Sequence, residues 1–379
     1  MLPYWLLFLI FAAGAIRFGA APITAYPAAP PDPPEQQGHH AWERLGRGAR
    51  LLPVAAAIAA LMVGLRFGVG TDWGAYITIY KDIARSDFLS SLVRIDPAYG
   101  ALNWIAAQLG GGIWFVNLAC ALLFMFGLVR FARAQPNPWL AIAVAVPYLI
   151  IGVGMGYTRQ AVAIAFGMAG IAALSRGASL ARFLLWVLAA ALFHRTAVIL
   201  IPIVAMAYTR NRLHSVLLGI LGAVGGYYML TLGQGLEHFQ GVYISHVYES
   251  QGAGVRLAMN LPPSLIYLGA SRRFTGSETE RRIWRNFAVI AIFSVVALFL
   301  VASSVIVDRL ALYIIPIQLF VLSRLPNVLS RTGRPTLLLV SCVLLYSAVV
   351  QFVWLNFANN SKNWIPYESY FSSACRACS

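Results

Sequence analysis

The chain has 379 residues, of which 60% are hydrophobic and only 11% charged, against roughly 25% charged in soluble globular proteins. Its mean hydropathy is +0.72, which excludes a water-soluble fold. The net charge of +15 would suit nucleic acid on a soluble domain with one basic face, but the basic residues here lie in short loops between apolar runs.

Apolar segments are expected near residues 2–16, 51–65, 112–131, 139–155, 158–175, 180–192, 196–209, 214–232, 257–271, 285–304, 306–323 and 335–355. About a dozen such segments describe an all-α polytopic bundle built for a hydrocarbon core of about 30 Å. The alternation that a membrane β-barrel requires is not found. Small residues from Ala12 to Ala21 resemble the end of a cleaved signal peptide, but no basic stretch comes first, so a retained helix is expected. The stretch 17–50, with Pro27, Pro30, Pro31, Pro33 and Pro34, reads as a Pro-rich cytoplasmic linker. No internal repeat is found, and residues 1–379 read as one membrane domain.

With the N-terminus outside, the inner loops hold 18 of the 28 Lys and Arg and 5 of the 13 acids, leaving +13 inside and +2 outside. That bias is the positive-inside rule. It puts 66–99, 233–256 and the tail 356–379 in the periplasm of a bacterium, with the protein in the inner membrane. Residues 180–209 decide the orientation of everything after them. They form either one helix of about 45 Å or two short ones broken at Phe193-His194-Arg195-Thr196. The break is expected, because a single helix would move Arg272 to Arg285 outside.

Charge at membrane depth costs at least about 2.5 kcal/mol per group, so polar residues near helix ends are the candidates for chemistry. The first group is Arg66-Phe67-Gly68-Val69-Gly70-Thr71-Asp72-Trp73, leading to Tyr76 and Tyr80. Arg66 ends an outgoing helix and Asp72 can cap the next; Trp73, Tyr76 and Tyr80 suit a sugar platform or an interfacial belt equally. In Tyr157-Thr158-Arg159-Gln160, Arg159 opens an inward helix. A cation is misplaced at a helix N-terminus, whereas Arg beside free backbone N–H groups binds anions. His194, at the break, can take or give a proton near neutral pH or be an ordinary core histidine. Asp308, Arg309 and Tyr313 lie at another outer turn, and Trp364, Pro366 and Tyr367 in the tail. Cys120 and Cys342 are expected in the core, while Cys375 and Cys378 permit a disulfide but are too few for a closed zinc site. No P-loop, nucleophile elbow, H-E-x-x-H or D-x-D is present, so no metal or cofactor is expected.

R-x-G-x-G-T-D-W-x-x-Y at Arg66 to Tyr76, T-R-Q at Thr158 to Gln160, F-H-R-T at Phe193 to Thr196, D-R-L-A-x-Y at Asp308 to Tyr313 and W-x-P-Y at Trp364 to Tyr367 together resemble the EpsG family, related to Wzy-type polymerases. The resemblance implies a fold similar to the large membrane glycosyltransferase (GT-C-like) class. It implies that oligosaccharide repeat units on undecaprenyl diphosphate are joined into exopolysaccharide or O-antigen at the periplasmic face. The partners implied are that lipid-linked oligosaccharide and membrane lipid, with room for a chain-length regulator and export proteins, and no nucleic acid. On this basis Arg66, Arg159 and Arg309 are expected to hold the donor diphosphate, His194 or Asp72 to act as base, and Trp73, Tyr76, Tyr80, Tyr313 and Trp364 to contact sugars. A flippase for the same lipid-linked unit, expected to carry repeats and a midplane site, and an O-antigen ligase are the alternatives.

Overall fold

The computed structural model describes residues 1–19, 39–209, 252–300, 304–330 and 335–372, with scattered positions between 211 and 225. Most of the expected segment 214–232, nearly all of the 233–256 loop and the Cys375/Cys378 pair lie outside the described residues. Helix α1 (Leu2–Phe18) and α2 (His39–Gly64) precede three helices of the first large loop, α3 (Trp73–Ala84), α4 (Phe88–Arg94) and α5 (Pro97–Gln108). Next come α6 (Gly112–Ala132), α7 (Pro138–Ala145), α8 (Thr158–Ser175), α9 (Leu180–Phe193) and α10 (Leu200–Tyr208). The second half holds α11 (Ala253–Ala258), α12 (Leu261–Ala270), α13 (Glu278–Leu300), α14 (Ser304–Ala311), α15 (Pro316–Leu329) and α16 (Leu337–Phe357). Among the described residues there is no strand, only an isolated antiparallel bridge between Arg66 and Ser369.

The expected dozen segments become, among these residues, six helices long and apolar enough to cross a membrane and four shorter apolar ones. Local chemistry explains the short ones. Pro147 lacks an N–H, and the helix from Pro138 widens into a π-helical stretch at Val146–Gly154, as a missing ladder bond invites. At the second break α9 stops at Phe193, His194 is extended (φ −157°, ψ 110°), and a 3-10 turn, Arg195–Ile199, leads into α10. The buried Asp96 Oδ1 accepts the Arg195 main-chain N–H at 3.1 Å, so the interruption has its own cap.

The interior helices are identified by burial. The spans Thr158–Ser175 and Val307–Leu329 are 78% and 83% buried, whereas Glu278–Leu300 and Leu337–Phe357 are each 28% buried and turn most of their surface outward. Helix α8 earns its central place with small residues, since a Cβ on Gly127 of α6 would lie 2.6 Å from the Ala165 carbonyl oxygen of α8. Close backbone approach of this kind drives helix association where lipid removes the hydrophobic contrast.

Polar contacts divide the bundle into two ends. At one, Arg324 donates from Nε to Gln135 (2.9 Å) and from Nη1 to the Thr275 carbonyl (2.8 Å), pairs with Glu280 (3.2 Å) and lies over the Phe320 ring (4.1 Å). At the other end Tyr4 Oη donates to the Trp364 carbonyl at 2.6 Å, and all the motif residues gather there. Two expectations change. The linker 17–50 is shorter than its composition suggested, because α1 runs to Phe18 and α2 starts at His39, with Trp139 Nε1 donating to the Gly48 carbonyl at 3.2 Å. Cys120 is buried as expected, but Cys342 is exposed, on an outward-turned helix.

Candidate functional site

The Arg66–Trp73 loop is strapped down by the tail. Phe67 N–H donates to the Glu368 carbonyl (2.9 Å), Gly70 N–H to Asn363 (2.9 Å) and Tyr370 N–H to Leu65 (2.8 Å). Gly70 has φ +107°, and a Cβ there would meet the Met155 carbonyl oxygen at 2.4 Å, so both conformation and space require glycine. Arg66 is 1% exposed. Its guanidinium donates to the Val63 carbonyl (2.6 Å), Thr158 Oγ1 (2.8 Å), the Val69 carbonyl (3.2 Å) and Asn117 Oδ1 (3.4 Å). A ligand could reach it only by displacing four internal acceptors. Asp72 precedes α3 but its side chain makes no capping hydrogen bond. Instead it faces Arg309, Oδ2 to Nη2, at 3.9 Å. Burial pushes the Asp72 carboxyl above the usual range, outweighing the opposing charges of Arg309 and Arg159.

The centre of the site is a residue that sequence reasoning missed. Asp96, just before α5, is 2% exposed and is faced by groups from two other places in the chain. Arg159 Nη1 at the start of α8 is 2.6 Å from Oδ2; Arg195 contributes its main-chain N–H at 3.1 Å and Nε at 3.5 Å to Oδ1; His194 Nδ1 stands 3.8 Å from Oδ2, beyond hydrogen-bond reach. The side chains of Arg159 and Arg195 are 23% and 34% exposed, so both reach the open side of the cluster. Arg159 Nε, Gln160 Oε1 and His194 Nδ1 are buried with no hydrogen-bond partner among the described residues. Buried polar atoms are nearly always paired, and these three all belong to the T-R-Q and F-H-R-T motifs.

Arg309 closes the other side. Its side chain is 31% exposed and lies over the Tyr157 ring at 5.4 Å, and its carbonyl accepts from Gln160 Nε2 at 2.6 Å. Asp308 does not pair with its neighbour; it takes a two-pronged contact from Arg256, Nε to Oδ1 and Nη2 to Oδ2, each 2.7 Å. Successive helical positions diverge by about 100°, which sends acid and base to different partners. Among the aromatics, Trp73 and Tyr80 keep exposed surface. Tyr76, Tyr313 and Trp364 are buried and offer none to a sugar as the site stands. Tyr76 packs on Tyr99, Tyr313 Oη accepts from Thr196 Oγ1 at 3.0 Å, and Trp364 Nε1 donates to the Ile151 carbonyl in the π-helical stretch at 2.9 Å. Those three form the wall of the site.

Asp96, Arg195 and Arg256 are the functional candidates the sequence reading passed over. Asp-Pro at Asp96-Pro97 has the look of a helix start and hid the hub. Arg195 was in view as part of F-H-R-T, and its place on the site side of a broken helix was the available signal.

Three partly exposed guanidiniums, an imidazole and paired carboxylates gather at one end of a helical bundle, and the six helices long and apolar enough to cross a bilayer define a membrane protein. Residues 49–369 match the model of the EpsG family, and the chain belongs to that Wzy-type polymerase-like family. No curated protein and no solved structure matches it.

Proposed function

We propose that the protein is a polymerase that joins oligosaccharide repeat units carried on undecaprenyl diphosphate, working at the periplasmic face of the bacterial inner membrane. It crosses that membrane about 12 times, in an arrangement similar to the GT-C-like glycosyltransferases. Loops 66–99 and 233–256 and the tail 356–379 face the periplasm. The observation that carries this reading is the cluster of Arg159, Arg195 and Arg309 around His194, at the end where a lipid-linked diphosphate would meet the bundle.

In the reaction the bond between the donor sugar's anomeric carbon and the phosphate oxygen breaks, and a bond to an acceptor hydroxyl oxygen forms. Undecaprenyl diphosphate departs carrying the bonding electrons. Arg159, Arg195 and Arg309 hold the diphosphate as charge builds on it. His194 takes the acceptor proton; it is favoured over Asp72, which is engaged by Arg309. Arg66 positions rather than binds, because it ties the glycine loop to Thr158, next to Arg159. Trp73 and Tyr80 offer ring faces to sugars. Chain-length regulation and export belong to partner proteins.

Purified protein incubated with a defined lipid-linked repeat unit should give a ladder of products. Arg159→Ala and His194→Ala should abolish it, and Arg159→Lys, which keeps charge but loses the fork, should weaken it. A wild-type ladder from both alanine variants overturns the site. In cells, a null strain that accumulates single units outside supports polymerisation; units retained inside would instead indicate a flippase, and long chains left on the carrier a ligase.

A further inference from the structure

We infer that Asp96 is an internal substitute for the donor diphosphate, and that displacing it from Arg159 and Arg195 turns it toward His194 and makes that histidine a base. The inference rests on the polymerase reading. Its starting point is the asymmetry around one carboxylate. Asp96 is almost fully enclosed, yet the two arginines that hold it, at 2.6 and 3.5 Å, both reach the open side of the cluster. The Arg195 main-chain N–H also holds Oδ1, at 3.1 Å, and the next group, His194 Nδ1, stands unpaired 3.8 Å from Oδ2. A buried acid and a buried imidazole a little too far apart to bond are held so by the arginine on Oδ2.

A diphosphate offers those guanidiniums more acceptor oxygens and more charge than one carboxylate does. When it takes Arg159 and Arg195, Oδ2 of Asp96 loses its short partner, and a shift of about 1 Å brings Nδ1–H into hydrogen-bond range. The imidazole is then fixed with Nδ1 protonated and Nε2 free to accept the acceptor's proton, the Asp-His arrangement that orients and supports a general base. Before the donor binds, the arginines hold Asp96 and the base is idle. The device couples proton removal to donor occupancy. Asp96 is a positioning residue here, since it touches neither sugar nor phosphate.

The test uses the purified full chain and inorganic pyrophosphate as the probe. Asp96→Asn removes the competing charge while keeping the shape, so pyrophosphate should bind on the order of tenfold more tightly, as expected for losing one charge-assisted contact. The same variant should lose about 10² to 10⁴ in kcat. A residue that merely held the fold would not tighten binding when removed. On wild-type protein, the ¹⁵N signal of His194 Nδ1, identified by its absence in His194→Gln, should move to the position of a strong hydrogen-bond donor when pyrophosphate is added. That measurement decides the matter even where Asp96→Asn fails to fold. Equal or weaker pyrophosphate binding by folded Asp96→Asn, unchanged kcat, or an unmoved His194 signal in protein that does bind pyrophosphate overturns the inference. If wild-type protein does not bind pyrophosphate at all, the diphosphate site itself fails, and the polymerase reading fails with it.

Discussion

Arg66 and Arg159 sit at the same end of the bundle in neighbouring motifs, yet their loss should have opposite signatures. Arg66 has no outward face, and its two shortest hydrogen bonds, to the Val63 carbonyl at 2.6 Å and Thr158 Oγ1 at 2.8 Å, come from a charged donor. At about 1.5–3 kcal/mol for each bond to a charged group, Arg66→Ala should cost about 3–6 kcal/mol before the cavity is counted. That is a large part of the roughly 5–15 kcal/mol that separates a folded from an unfolded protein. Arg66→Lys keeps the charge but cannot span both acceptors, and should recover about half. Arg159→Ala removes one short contact from a partly exposed side chain, and Arg195 still answers Asp96, so the fold should survive while polymer is lost. Folded protein is counted as the monodisperse peak after mild detergent extraction, with thermal unfolding of that peak and polymer yield per folded molecule alongside. Wild-type yield and an unchanged unfolding midpoint for Arg66→Ala would refute the hydrogen-bond accounting. An Arg159→Ala protein that unfolds as early as Arg66→Ala would refute the division of roles.

Gly70→Ala meets both a positive φ and the Met155 carbonyl oxygen at 2.4 Å, so it should lower extracted folded protein at least as much as a buried-core truncation, whereas Gly74→Ala, with open space around it, should not. Arg256→Ala or Asp308→Ala alone should destabilise by about 3 kcal/mol or more, and the double variant by clearly less than their sum; additive unfolding free energies would mean that the pair is not coupled. Asp72 is a carboxyl held above its unfolded value by burial, so the folded form binds the proton more strongly and stability falls as pH rises from the unfolded to the folded value. Asp72→Asn lacks that loss. Its unfolding midpoint should therefore gain on wild type as pH rises above the ordinary carboxylate value of about 3.9, and a constant offset above that value would contradict the shift.

Depth was legible in the sequence and rotation was not. Apolar length located the helices, because a hydrocarbon layer of fixed thickness constrains it, and the charge bias, which a single helix over 180–209 would have reversed at Arg272 to Arg285, located the break at His194. Nothing in the sequence says which way a side chain turns about its helix. Arg66 and Trp364 have the depth of site residues but turn inward, where their donors meet the Val63 and Ile151 carbonyls. Cys342 lies in an apolar run and was expected inside, yet its helix is only 28% buried across its span. Asp96 was hidden for a different reason: its partners lie 63 and 99 residues along the chain, and its own neighbours are those of an ordinary helix start.

The strap between the tail and the Arg66–Trp73 loop sets an order on biosynthesis. Tyr4 and Trp364, joined by one hydrogen bond, are 360 residues apart, and Tyr367 reaches Met62 across 305. Chains emerge from the ribosome N-terminus first, so the chain through α10 is made long before Asn363, Glu368 and Tyr370 exist to pair with the backbone of Gly70, Phe67 and Leu65. Until they arrive those backbone groups lack the partners that fix the loop, and Thr158 and Arg159 lack a settled Arg66 beside them. The nascent chain thus occupies the membrane as an unfinished machine until residues 363–370 are made and close it.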